Sequence, residues 1–135
     1  MSEWRLYFDG GSRGNPGPAA YGWVLYGPDL AEVARGCETL GHATNNVAEY
    51  TGLVRGLEQA VAHGAGKLQI FGDSELIIKQ LRREYRVKNA ALKPLYQAAT
   101  DQLAQLASWQ AAHVYRTDNT VADALVNEAL DAATR

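Results

Sequence analysis

The pattern of apolar and polar residues predicts five short β-strands, and in the first of them the two kinds of residue alternate. In the first segment, Trp4, Leu6 and Phe8 alternate with other residues, so Asp9 falls on the opposite face, at the end of the strand. The other strands are predicted at 20–26, 32–40, 67–71 and 109–115, bounded by glycine, proline and aspartate turn signals. The short connections predict that the first three strands form an antiparallel meander.

Apolar residues spaced three and four apart predict four helices. The first follows the polar segment 42–46, ends at Gly64 and Gly66, and carries one apolar stripe: Val47, Tyr50, Val54, Leu57 and Val61. The others are predicted at 74–83, at 92–106 with Pro94 in the first turn, and after 118–120, which cap the last helix. The order β-β-β-α-β-α-α-β-α predicts an α/β fold, with a mixed five-stranded sheet and helices on both faces.

The composition predicts a single domain over residues 1–135. A chain of this length with 47% hydrophobic residues can bury a core without disulfides or structural metal. Cys37 is the only cysteine, and with no Cys/His cluster a zinc site is not expected; both facts suit a reducing cytoplasm. The start lacks a signal core and no apolar run approaches membrane-spanning length, so we expect a cytoplasmic protein without a membrane partner.

The net charge of −2 argues against binding nucleic acid by bulk positive charge. Any binding of that kind has to use local patches and a metal ion. The net charge therefore does not exclude nucleic acid as a partner, but it requires local positive patches and a metal ion for the binding.

The turn after the first strand, G-G-S-R-G-N-P-G-P at residues 10–18, is rich in glycine. Gly10, Gly11, Gly14 and Gly17 place four glycines in eight residues, which is more than a hairpin turn needs. A simple hairpin is one interpretation. The other is that a substrate backbone approaches this loop and meets its exposed peptide groups.

Four acidic residues stand where a strand ends or a helix begins: Asp9, Glu49, Asp73 and Asp123. Three of them have structural explanations. Glu49 can form a capping box with Asn46, Asp73 can cap its helix, and a helix dipole can favour Asp123. Taken together, four converging carboxylates without cations would repel one another and take up protons. Sites in such sheets form at strand ends near the topological switch, where Asp9 and Asp73 are predicted to lie.

A hard divalent cation is the natural counter-charge for this cluster, because its ligands are oxygens and include no imidazole or thiolate. Mg²⁺ fits best. Two ions about 4 Å apart, bridged by one carboxylate, would activate a water and stabilise the leaving oxygen of a phosphodiester. They would also supply the positive charge that the protein lacks.

Four segments in order carry a resemblance to a known family: F-D-G-G-S-R-G-N-P-G-P, A-T-N-N-V-A-E-Y, F-G-D-S-E-L-I and N-T-V-A-D-A-L-V-N-E-A. Together they closely resemble ribonuclease H type 1, in a compact single-domain form, over nearly the whole chain. The resemblance implies a ribonuclease H-like fold. It also implies endonucleolytic hydrolysis of the RNA strand of RNA-DNA hybrids, leaving 5′-phosphate and 3′-hydroxyl ends.

The resemblance also implies roles for individual residues. Asp9 would bridge two Mg²⁺ ions, with Mn²⁺ as a possible substitute; Glu49 and Asp73 would complete one metal site and Asp123 the other. Glu49 would also lie nearest the 2′-hydroxyl group. The implied substrate contacts are a phosphate of the DNA strand for Thr44 and the groove of the hybrid for Gly10, Gly11, Asn15, Asn45 and Asn46. Helix capping is the structural alternative for Asn45 and Asn46.

The chain departs from many relatives in two places. The basic helix and loop of those relatives is reduced here to L-R-R-E-Y-R-V-K-N. Either this segment binds the hybrid more loosely, or it is only a solvated charged turn. Their mobile histidine before the last carboxylate has no counterpart in the loop Y-R-T-D-N-T. We expect His113 to be a packed or edge residue of its strand, and Arg116 to touch a phosphate instead.

Three other functions remain to be weighed against hybrid cleavage. A broader nuclease of the same fold would also cut RNA-RNA duplexes. A non-catalytic nucleic-acid-binding module would keep the fold, but the four carboxylates disfavour it. A phosphate-binding kinase-like domain is discounted, since G-G-S-R-G-N-P-G lacks the lysine and Ser/Thr of a P-loop. We expect a stand-alone monomer without an added hybrid-binding module or a fused enzyme.

Overall fold

The computed structural model describes residues 3–133. The elements are β1 Glu3–Ser12, β2 Gly17–Tyr26, β3 Glu32–Ala43, α1 Asn45–Ala62, β4 Lys67–Gly72, α2 Glu75–Leu81, α3 Lys93–Leu103, β5 Ser108–His113 and α4 Thr120–Ala133. A single 3₁₀ turn at Arg116–Asp118 precedes α4. The α/β fold and the element order predicted from the sequence are confirmed, although several boundaries differ.

The sheet has the strand order β3-β2-β1-β4-β5, which places β1 at its centre. The strand β1 runs antiparallel to β2 and parallel to β4, and its parallel pairing ends where Phe8 meets Gly72. Its antiparallel pairing continues as far as Ser12. The sequence predicted that β1 ends at Asp9. In the structure, β1 continues beyond Asp9 to Ser12, because the glycine-rich segment prolongs the hairpin. At Asp9, β1 is still paired with the antiparallel strand β2 but no longer with the parallel strand β4.

The two faces of the sheet are covered by different helices. Leu6 and Phe8 of β1 belong to a buried core that also contains apolar residues of α1, α2 and α3. On the other face, Ala20 of β2 packs with Val126, Ala129 and Leu130 of α4. Between residues 3 and 133, no helix is long and apolar enough to cross a membrane.

Two glycines allow helices to approach the sheet closely. A Cβ atom at Gly10 would lie 2.3 Å from the backbone of Ala48 and Glu49, and one at Gly22 would lie 2.8 Å from the carbonyl oxygen of Ala122. Gly10 is thus required by the packing of α1 on β1. A Cβ atom at Gly11 would meet its nearest neighbours only at 3.9 Å.

The helix caps differ from those expected. Thr44 caps α1 and accepts a hydrogen bond from Val47 N at 3.2 Å, so Asn46 and Glu49 do not form a capping box. Ser74 caps α2, so Asp73 is not the cap of that helix. The capping explanations for Glu49 and Asp73 are therefore wrong, and both carboxylates are left for another role.

Candidate active site

Three carboxylates from different elements converge at one edge of the sheet. Asp9 comes from β1, Glu49 from α1 and Asp73 from the residue after β4; one oxygen of each lies within 4.8 Å of the others. Glu49 reaches Asp9 because the glycine at position 10 lets the α1 backbone press against β1. Asp73 reaches it because β4 runs parallel to β1 and ends beside it.

The fourth carboxylate, Asp123, lines the same cavity but does not belong to the group of three. It lies in the first turn of α4. The start of α4 is fixed to the sheet by the buried Asn119, whose Nδ2 donates to the carbonyl oxygen of Phe8 at 2.9 Å. The cavity has a volume of about 500 Å³ and contains all four predicted carboxylates among its lining residues.

Burial and mutual repulsion keep protons on this cluster. Asp9 is only 6% exposed, and burial together with the charge of Asp73 raises its pKa from 3.8 to about 8. Burial, and to a smaller extent the charge of Asp73, raises the pKa of Glu49 from 4.5 to about 7. Burial also raises the pKa of Asp73, although the nearby Arg116 guanidinium opposes the shift.

The donor set fits a hard divalent cation. Glu49 Oε2 is buried and has no hydrogen-bond partner within residues 3–133. A buried carboxylate oxygen without a partner is costly, and a metal ion would satisfy it. The converging ligand atoms are all carboxylate oxygens, the type that hard divalent cations prefer. The cluster therefore has the composition of a divalent-metal site.

Hydrogen bonds join the glycine-rich turn to the start of α1 beside the cavity. Ser12 N donates to Asn45 Oδ1 at 2.8 Å, and Asn45 N donates to Asn15 Oδ1 at 3.1 Å. Gly10, Gly11 and Asn45 line the cavity. Thr44 caps the helix, and Asn46 is the second residue of α1.

The sequence analysis expected His113 to be a packed or edge residue of its strand, and the structure bears out the edge alternative. This residue ends β5, is exposed, and lines the cavity together with the carboxylates, so it is not a packed strand residue. Its ring makes an edge contact with Tyr115, with the ring centroids 5.7 Å apart. The parallel register pairs His113 with Gly72, the residue before Asp73. Aligning the starts of the two predicted strands, at residues 67 and 109, pairs residue 71 with His113 and would have placed the histidine near Asp73.

The basic segment before α3 is exposed, and its arginines differ in their contacts. Arg82 forms an ion pair with Glu84 at 2.9 Å, whereas Arg83, Arg86 and Lys93 line an open cavity of about 470 Å³ together with Tyr85 and Tyr96. Positive charge mixed with aromatic rings is typical of surfaces that bind nucleic acid.

Known proteins match the chain over nearly its whole length. The family model for reverse transcriptase-like domains matches residues 7–129. A ribonuclease HI of Halobacterium salinarum is 47% identical over 127 residues, which make up 94% of this chain and 64% of that relative. The chain spans only 35% of the curated relatives from Mycobacterium, which are 45% identical.

Solved structures show the same likeness. The crystal structure of RNase H1 from Halobacterium salinarum has 46% sequence identity and a TM-score of 0.91, covering 96% of this chain and 98% of that one. The RNase H1 called LC11, solved in complex with an RNA/DNA hybrid, has 35% identity and a TM-score of 0.92. That match covers 98% of this chain and 99% of the other.

Proposed function

Because the chain belongs to the ribonuclease H family and has the ribonuclease H-like fold, we propose that it is a metal-dependent endonuclease for RNA-DNA hybrids. It hydrolyses the RNA strand and leaves 5′-phosphate and 3′-hydroxyl ends. The observation that carries this proposal is the convergence of Asp9, Glu49 and Asp73, with Asp123 lining the same cavity. A relative of 35% identity that holds an RNA/DNA hybrid supports the choice of substrate.

Two divalent cations complete the proposed site, with Mg²⁺ as the natural metal and Mn²⁺ as a substitute. Asp9 is the proposed shared ligand, since the charges of Glu49, Asp73 and Asp123 all act on its carboxyl group. Glu49 and Asp73 would hold one ion and Asp123 the other. When bound, the two ions would supply an activated water and stabilise the leaving oxygen of the phosphodiester.

The protein's own residues would orient the hybrid over this edge. An enzyme that selects RNA has to recognise the 2′-hydroxyl group, which both donates and accepts hydrogen bonds. Asn45 uses its Oδ1 for Ser12, while its Nδ2 has no partner among residues 3–133 and can donate to the substrate. The peptide groups of Gly10 and Gly11, with Asn15 and Asn46, are the other proposed groove contacts.

Phosphate contacts are proposed for two further residues. The Thr44 hydroxyl accepts from Val47 N, which leaves its own proton free to donate to a phosphate of the DNA strand. Arg116 lines the cavity and is proposed to contact a phosphate near the cleavage point. His113 lies in the same cavity and can hold or move a proton for the departing product.

The protein is proposed to act as a monomer in the cytoplasm, with the hybrid as its partner and without a membrane. Cys37 supports this location, because it is unpaired in the structure and the chain has no second cysteine.

The test compares wild type with Asp9→Asn on four labelled duplexes: RNA-DNA, RNA-RNA, DNA-DNA, and DNA with one ribonucleotide. Each is incubated with Mg²⁺ and with chelator. We expect Mg²⁺-dependent cutting of the RNA strand of the hybrid, and a loss of about a thousandfold in Asp9→Asn, since metal ligation contributes several kcal/mol to the transition state.

Asp101→Asn is the matched control, because it makes the same chemical change on an exposed residue of α3. This variant should cut like wild type. Equal cutting of RNA-RNA would identify a broader nuclease. Hybrid binding without cutting in Mg²⁺ or Mn²⁺ would overturn the enzyme proposal and leave a binding module.

A further inference from the structure

An ion pair stands at the mouth of the carboxylate cavity. Arg116 Nη2 lies 3.2 Å from Asp123 Oδ1; the side chain of Arg116 is 75% exposed and that of Asp123 is 28% exposed. The guanidinium belongs to the short 3₁₀ turn that joins β5 to α4. Its charge also acts on Asp73, so Arg116 faces two of the four carboxylates.

The other arginine that lines this cavity is occupied elsewhere. Arg13, in the glycine-rich turn, forms an ion pair with Asp131 near the end of α4, at 2.5 Å. Among the arginines and lysines of residues 3–133 that line the cavity, only Arg116 pairs with one of the four carboxylates in that lining. Arg116 is thus the cation that pairs with a carboxylate of this cavity.

Arg116 and a divalent cation cannot both stay beside Asp123 without repulsion. At a few ångströms, the repulsion between their charges weakens the binding of the metal even in a partly hydrated site. An ion pair as exposed as this one contributes little stability, so a metal ion can displace the guanidinium. A phosphate group is a good alternative partner, since a guanidinium donates two parallel hydrogen bonds to it.

We propose that Arg116 is an exchangeable counter-ion, which neutralises Asp123 while metal is absent and transfers to a substrate phosphate when metal binds there. This inference rests on the proposed function. It adds a coupling between the two ligands: substrate that captures Arg116 removes a competitor of the metal, so hybrid and metal each strengthen binding of the other.

The proposal predicts opposite effects of one substitution on two ligands. In Arg116→Ala, metal no longer competes with the guanidinium for Asp123, so metal affinity without nucleic acid should rise about threefold to tenfold. The same variant lacks the phosphate contact, so KM for the hybrid should rise. A residue that only contacts phosphate would change KM and leave metal affinity unaltered.

The experiment is a calorimetric titration of chelator-stripped protein with Mn²⁺, and separately with Mg²⁺, in the absence of nucleic acid. Wild type, Arg116→Ala, Arg116→Lys and Arg13→Ala are compared, and thermal unfolding confirms that each variant is folded. Arg13→Ala is the matched control, since it removes an equal charge from the cavity lining. It should change metal affinity less than twofold, whereas Arg116→Lys should stay close to wild type because the charge remains.

A double substitution shows whether the effect passes through Asp123. In an Asp123→Asn background, Arg116 has lost the carboxylate with which it pairs, so adding Arg116→Ala should change metal affinity less than twofold, through its remaining effect on Asp73. An equal gain in both backgrounds, or equal gains in Arg116→Ala and Arg13→Ala, would overturn the proposal in favour of a general field effect.

The outcomes separate this inference from the proposed function. If wild type cuts the hybrid in Mg²⁺ but Arg116→Ala has unaltered metal affinity, only the counter-ion role is wrong. If wild type neither binds metal nor cuts the hybrid, the proposed function fails, and the counter-ion role fails with it.

Discussion

At the scale of single residues, Glu49 shows how the fold prepares a position for a cation. The nearby Ser74 hydroxyl lowers the pKa of Glu49, against the effect of burial, while Oε2 is buried without a partner among residues 3–133. Ser74 also caps α2, so one hydroxyl links the start of that helix to the carboxylate cluster. A buried carboxylate oxygen without a partner lowers the stability of the fold unless the carboxyl group is protonated or bound to metal.

His113 gives a prediction at the same scale. If its imidazole exchanges a proton in the proposed reaction, His113→Ala should lower kcat by about a hundredfold with little change in KM. Steady-state kinetics on the RNA-DNA hybrid across the neutral pH range measure both effects.

His63→Ala is the control for this substitution, because His63 is an exposed histidine at the end of α1 and not part of the cavity lining. It should leave the kinetics unaltered. A kcat for His113→Ala within twofold of wild type would return His113 to the edge-residue role that the sequence suggested.

At the scale of secondary-structure elements, the contact between β1 and α1 sets the geometry of the site. We expect Gly10→Ala to destabilise the protein by about 3 kcal/mol, since an added methyl cannot be accommodated by moving a flexible side chain. The 2.3 Å contacts are with the backbone of Ala48 and Glu49, so α1 has to shift and carry Glu49 away from Asp9. Urea unfolding gives the free energy, and the hybrid assay should show activity lost beyond the unfolded fraction.

Gly11→Ala provides the comparison, because the nearest atoms to its added methyl lie at 3.9 Å. Its free energy of unfolding should stay within about 0.5 kcal/mol of wild type. Equal losses in the two variants would mean that the glycines serve the flexibility of the turn and not the packing of α1.

The elements themselves were largely predictable, and the exceptions have physical causes. The turn signals that bound the strands and the three-four spacing of the helices identified the strands and α-helices of residues 3–133 in order, although β2 is buried along nearly its whole length and does not alternate. The caps were misassigned because polar residues adjoin one another at 44–46 and 73–74, and tertiary contacts decide which of them caps. The position of His113 beside the carboxylates was not predictable from the sequence of its own strand, because it depends on pairing with β4, about forty residues earlier in the chain.

At the scale of the whole molecule, the carboxylate cluster makes the stability of the metal-free protein depend on pH. The folded-state pKa values of Asp9 and Glu49, about 8 and about 7, lie above the ordinary values of 3.8 and 4.5. The folded state therefore binds these protons more tightly than the unfolded chain. Their stabilisation is fully present below about pH 4 and is lost as the pH rises to about 8.

We therefore expect the Tm in chelator to fall between about pH 5 and about pH 8, and Mg²⁺ to restore it at the higher pH, because metal replaces the protons as counter-charge. Scanning calorimetry with and without Mg²⁺ measures this. Asp9→Asn removes the group with the larger shift, so its Tm should fall less over the same range. A wild-type Tm that does not depend on pH in chelator would contradict proton retention by the cluster.

The hydrogen bond from Asn119 to the carbonyl oxygen of Phe8 joins groups 111 positions apart. In terms of chain assembly, it marks the closure of a very long loop, which carries a large entropic cost and has to be offset by the packing of α4. Asp123 enters the cavity only when this closure has occurred. A chain with the sheet and α1 formed but α4 undocked would present three carboxylates and an incomplete site, so the proposed nuclease is inactive until the fold is closed.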